Sequence, residues 1–299
     1  NIYGSLLTNT ADFNVVIAPG FNNPDNNYEV LNAKGVSQLK DLLASGADLS
    51  KKDVIVDLNG ETMDSNIALN AHSVAVENGT VDASQLSAKA EEGVTLRNVK
   101  LTGSFPKATS NARVIVETAG DVVVDGLDYT GATDGYNPIE INLRNVVSKN
   151  VTVKNCKFAN FSNNAMTVFG MAEGGVLNIE NNTFTLGKTS EAVRISNKTN
   201  TKFTINVKDC SYTYPADAAG QWVGFFLFED YTSKTAEEAA AMQFKNLTVN
   251  VDNVTFEGAK VTELNLFTGA RNQFACMCYD KLPGYIVTDA THFPTFNFK

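Results

Sequence analysis

One six-residue phrase recurs seven times along this chain. It is an apolar residue, any residue, then Asn, Asp or Gly, two further residues, and an aromatic or aliphatic one. The clearest copies are Val153-Lys154-Asn155-Cys156-Lys157-Phe158, Ile179-Glu180-Asn181-Asn182-Thr183-Phe184 and Val207-Lys208-Asp209-Cys210-Ser211-Tyr212. The turn residue stands at 78, 98, 126, 155, 181, 209 and 253, in steps of 20, 28, 29, 26, 28 and 44. A recurrence of this period marks a repeat architecture, in which each unit buries its apolar face only by stacking on its neighbours.

The phrase itself dictates strands. In Val151-Thr152-Val153-Lys154 apolar and polar residues alternate, so one face is buried and one is wet. Asn155 then breaks the alternation, and Asn, Asp and Gly are the residues that tolerate a left-handed backbone. Cys156 and Phe158 point inward after the turn. A second alternation follows each turn from Asn98 onward: Val114/Val116, Ile139/Ile141/Leu143, Met166/Val168, Val193/Ile195, Val223/Phe225/Leu227 and Leu264/Leu266. Two strand signals in step predict an all-β coil of about three short strands per turn, stacked in parallel. Asn side chains at the turn are expected to hydrogen-bond along the stack.

The segments VTVKNCKFAN, VLNIENNTFT, VTLRNVKLTG and LTVNVDNVTFEG resemble the right-handed parallel β-helix proteins of the pectin-lyase-like superfamily. The resemblance spans roughly Lys52 to Ala270 and implies a right-handed, single-stranded parallel β-helix, a solenoid. One structural domain is therefore expected, with an N-terminal segment and cap over 1–51, the β-helix over 52–270 and a C-terminal cap over 271–299. Ser37 to Ser45 reads as a short amphipathic capping helix, with Ser37 as N-cap and Gly46 as stop. The long 44-residue step contains Asp230 to Gln243, where Thr235 and Glu238 fit a capping box, so one helical insertion is expected there.

Charge narrows the partners. The net charge is −9 and the sequence pI is about 4.8, which argues against nucleic acid and anionic membrane, because both select clustered Lys and Arg. No run reaches the ~20 apolar residues that cross a bilayer, so no transmembrane segment is expected. The chain begins at Asn1 with no basic-then-apolar leader. An extracellular or cell-surface location, with a signal sequence removed, is the expectation. Cys156 and Cys210 share one slot of the phrase and are expected as core hydrophobes, while Cys276 and Cys278 form a free pair on one strand face.

Enzymes of the family resembled are mostly polysaccharide lyases and glycoside hydrolases. Their signatures, among them Gly-His-Gly, paired aspartates and Arg-Ile-Lys, are missing: His72 lies in Ala-His-Ser, His292 in Thr-His-Phe, and only Arg194-Ile195-Ser196 is similar to the last element. The outward positions of the second strand stack into two rows. One reads Ile115, Glu140, Thr167, Arg194, Gly224 and Asn265, and the other Glu117, Asn142, Phe169, Ser196, Phe226 and Phe267. Glu140 and Arg194, two coils or ~10 Å apart, suit a sugar between them and are the catalytic candidates. Arg113, Arg144 and Asn142 join them as ligand-binding candidates. Phe169, Phe226, Phe267, Trp222 and Phe228 are expected as an exposed aromatic face, fit for sugar rings or for self-association. Asp121, Asp125, Asp128 and Asp134 are the candidates for calcium, and no other metal or cofactor is expected. The function expected is non-catalytic carbohydrate binding or adhesion, with a polysaccharide or surface glycan as partner. The alternatives are a polysaccharide lyase or glycoside hydrolase with an atypical site, and a structural virion-fibre or surface-layer component.

Overall fold

The computed structural model describes residues 27–144, 146–230, 243–279 and 286–299. It is an all-β chain whose named strands pair in parallel, apart from the short Thr255–Phe256 with Ala259–Lys260 pair. Three ladders organise it. The first begins with Glu29–Lys34 and Lys52–Asp57, continues through Asp121–Asp125, Ser148–Lys154, Met171–Glu180 and Phe203–Lys208, and finishes on Thr248–Asp252 and Thr295–Phe298. A second, of short strands just after the turn, includes Lys157–Phe158, Thr183–Thr185 and Ser211–Thr213. The third joins Ala112–Thr118, Asn137–Ile141, Asn164–Val168, Glu191–Ile195, Phe226–Asp230 and Ala275–Tyr279. The long strands Ile67–Asp82 and Leu86–Ser104 take part in all three.

All seven turn residues adopt the left-handed backbone expected of them, with φ between 51° and 74°. Gly126 occupies the one glycine slot because a Cβ there would lie 2.8 Å from Asn98 Oδ1. Amides of the turn join successive passes: Asn98 Nδ2 donates to Asn78 (3.4 Å), Asn155 to Asp125 (2.8 Å), Asn181 to Asn155 (2.8 Å) and Asn253 to Asp209 (2.8 Å). An eighth turn, at Asn59 with φ 57°, precedes them; two extra residues before Met63 disguise its phrase.

One large cluster of buried apolar side chains forms the main core. It holds Val151, Val153, Cys156 and Phe158 and their equivalents, so the inward pattern read from the phrase is the one observed. Cys156 and Cys210 are free and buried, and burial pushes both thiols up to about 12. The helix runs over Gly35–Ala44 and buries Leu39 and Leu42. Its start is not capped by Ser37. Gly35 opens it with φ 82°, and the backbone N–H of Lys34 donates to the Gln38 side chain at 2.7 Å. Ladder pairing extends on both sides of 52–270, from Glu29 to Phe298. The expected insertion over 230–243 lies almost wholly outside the described residues.

Two register expectations fail, the first because of a doubled core pair. At the start of three strands of the third ladder, two consecutive residues enter the core: Ala165 with Met166, Ala192 with Val193, and Phe225 with Phe226. Strict alternation through Trp222 to Phe228 is therefore broken after Phe225. Phe226 and Phe228 face the core, and Leu227 takes the outward place assigned to Gly224. In the last pass the strand is Ala275–Tyr279, so Cys276 replaces Asn265 in the row, and Cys278 replaces Phe267.

Candidate functional site

The outward face of the third ladder gathers the polar chemistry. Ile115, Glu140, Thr167 and Arg194 stand side by side in register, as the row predicted, followed by Leu227 and Cys276. Two clefts open beside this row. The larger, about 430 Å³, is lined by Ile115, Tyr136, Glu140, Arg144, Phe169, Arg194 and Lys198 among others. The smaller, about 290 Å³, is lined by Tyr136, Asn163, Asn164, Glu191, Trp222 and Glu229 among others. Tyr136 and Asn163 border both.

Arg194 sits between the clefts. Its Nη2 lies 3.1 Å from Glu229 Oε1, and its guanidinium lies 5.4 Å from the centre of the Phe169 ring. Glu140 accepts from Asn137 Nδ2 at 2.9 Å. Burial raises its carboxyl, an effect that the Asn137 hydrogen bond and the Arg194 charge only partly offset. Glu191 is 1% exposed, and its Oε2 accepts from Asn164 Nδ2 at 2.8 Å. Burial and the neighbouring Glu229 raise Glu191 well above the ordinary carboxylate range. Glu229 Oε2 in turn accepts from the Cys278 thiol at 2.9 Å. Along the rim of the larger cleft, Lys198 Nζ donates to Leu143 O at 3.0 Å, and Arg144 Nε lies 3.8 Å from Glu117.

Several buried polar atoms of this face have no hydrogen-bond partner: Asn164 Oδ1, Thr167 Oγ1, Glu191 Oε1 and Ser196 Oγ. Buried polar atoms are ordinarily paired, and leaving one unpaired costs about 1–3 kcal/mol. Of these residues, Asn164 and Glu191 line the smaller cleft.

Glu140, Arg194, Phe169 and Arg144 thus come together, and Trp222 lines the adjoining cleft. The other candidates do not. Arg113, 1% exposed, takes the inward slot held elsewhere by Ala165 or Ala192, and donates to the carbonyls of Ser84 (3.0 Å), Val81 (3.1 Å) and Thr102. Asn142 spends its side chain on a corner, donating to Ser148 (2.9 Å) and Gly170 (3.2 Å) and accepting from Thr118 N (3.0 Å). Phe226 and Phe228 are core, Phe169 is buried, and Phe267 is 47% exposed beside a separate apolar pocket, so these residues form no continuous aromatic face. The four aspartates do not converge. Asp121 and Asp125 accept from Asn150 and Asn155, Asp128 from Thr130, and Asp134 from Ser104 and Phe105. Among the described residues no cluster of three His, Cys, Asp or Glu is placed to hold a metal. No helix among them is long and apolar enough to cross a membrane.

Glu191, Glu229, Asn164, Tyr136 and Lys198 were not read from the sequence. Glu191 shares parity with the inward Val193, so alternation hides it; only the doubled core pair Ala192-Val193 turns it outward. Comparison with protein-family models, curated proteins and solved structures finds no match.

Proposed function

We propose that this chain is a right-handed parallel β-helix of the pectin-lyase-like kind, working outside the cell or at its surface, and that it binds a glycan in the paired clefts on its third face. The observation that carries the reading is that Asn164 and Glu191, each with a buried, unpartnered oxygen, line one of two adjoining clefts walled by Tyr136, Phe169 and Trp222. Sugar hydroxyls both donate and accept, so they complement such atoms, while aromatic walls cover the apolar faces of the ring. The charged rim of Arg144 and Lys198 faces the solvent side of the larger cleft.

Affinity electrophoresis against a panel of neutral, acidic and amino polysaccharides tests this directly. At least one polymer is expected to retard the protein, and Trp222→Ala is expected to weaken that retardation at least about tenfold. Unaltered mobility against every polymer would remove the reading.

A second reading, cleavage of the glycan, rests on Glu140. A carboxyl raised by burial next to a cationic Arg194 is suited to donate a proton to a leaving oxygen. New reducing ends or unsaturated sugars from any polymer of the panel, lost in Glu140→Gln, would establish it.

A further inference from the structure

The two clefts differ in sign. Arg144, Arg194 and Lys198 line the larger with Glu140 as its only carboxylate, whereas Glu191 and Glu229 line the smaller with no Lys or Arg among its described lining residues. The unpartnered atoms at the smaller cleft are also of one kind. Asn164 Oδ1 and Glu191 Oε1 both lack a donor, and each belongs to a side chain about 1% exposed. A group that satisfies two acceptors next to a second carboxylate must bring at least two donors, and positive charge strengthens them there. An ammonium has three donors and no acceptor, and Trp222, the half-buried wall of the same cleft, offers the ring face that cations favour.

We infer that the smaller cleft is a subsite for a protonated primary amine on the glycan, held by Glu191, Asn164 and Glu229 against Trp222. The inference rests on the glycan reading and names the sugar class it takes, an amino sugar that is not acetylated.

A consequence is coupling to a proton. The titratable groups around Glu191 are Glu229 on the next strand, Arg194 on its own strand, Cys276 one strand further and Tyr214 below it. Burial keeps the thiol and the phenol neutral. Burial and the Glu229 carboxylate favour the protonated form of Glu191, and an ammonium beside it would favour release of that proton.

The experiment is calorimetry of the full chain with a short chitosan oligomer, a fully acetylated oligomer of the same length and spermidine. It is run at about pH 6, where a sugar amine is protonated, in phosphate and in Bis-Tris. The chitosan oligomer is expected to bind at least about tenfold tighter than the acetylated one and to release about one proton, read from the difference between the buffers. Glu191→Gln imitates the protonated side chain and keeps the acceptor for Asn164, so it is expected to fold. It should lose the preference and the proton release. Equal binding of both oligomers, unchanged in the variant, overturns the amine subsite and leaves the glycan reading standing. Binding of neither oligomer with retention of spermidine keeps the cation site and removes the glycan; binding of none of the three removes both.

Discussion

Glu77 shows what a single side chain contributes to the pH behaviour of this protein. It is 1% exposed on the outer face of the first ladder, with Asp57 beside it and Arg97 Nη1 at 3.6 Å. Burial, then repulsion from Asp57, raises its carboxyl to about 7, and Arg97 offsets only part. The folded state therefore binds this proton more tightly than the unfolded chain does. The stabilisation is complete at low pH and is lost as pH rises from the ordinary carboxylate range through about 7. Glu77→Gln is expected to match the parent in urea denaturation at about pH 5 and to exceed it at about pH 8, by up to about 3 kcal/mol. Equal stability at both pH values would show that the carboxyl is not held in this way. Arg113 makes the complementary point. A fully buried guanidinium that donates to backbone carbonyls of two passes is a structural tie, although in sequence it stands among outward residues.

Among the elements, the turn was the most legible, because its demand is local. A left-handed residue between two alternations selects Asn, Asp or Gly whatever surrounds it, and all seven positions obey. Asn155→Leu removes that conformational ease together with one amide donated to Asp125 and one accepted from Asn181. A loss of about 2–3 kcal/mol is expected, seen as a lower urea midpoint with unchanged slope; an unmoved midpoint would deny the turn ladder any role in stability. The strands of the third ladder were legible only in part. Their alternation is sound at Val114/Val116, Ile139/Ile141, Met166/Val168 and Val193/Ile195. It fails at Phe225-Phe226, where both residues are apolar and nothing local says which one turns. The same doubled core pair hid Glu191, so half of the candidate site depended on a bend that alternation cannot encode. Glu140 and Arg194 were recoverable because each is the fourth of five residues in its strand, beyond the start where alternation breaks, so the period of two holds.

Across the whole molecule, each inner strand of the first ladder pairs with the one before and the one after, while its first and last strands are held from one side only. The first ladder finishes on Thr295–Phe298, where Phe296 and Phe298 are only partly buried. Amide exchange is expected to be fastest there and slowest at Ser148–Lys154, which is paired on both sides. Uniform protection along the ladder would mean that the passes open as one unit.

On the outward face of the first ladder, Asn178, Asn206, Asn250 and Asn297 form a file in which each later amide donates to the earlier carbonyl, at 3.1, 2.9 and 3.0 Å. Every member offers the same acceptor to whatever follows, so a complete additional pass can join the file on identical terms. A missing single residue, in contrast, would throw the file, the turn ladder and the inward face out of step together. The length of such a chain is therefore quantised: it can grow or shrink by whole passes, while changes smaller than a pass must be confined to the loops between ladders.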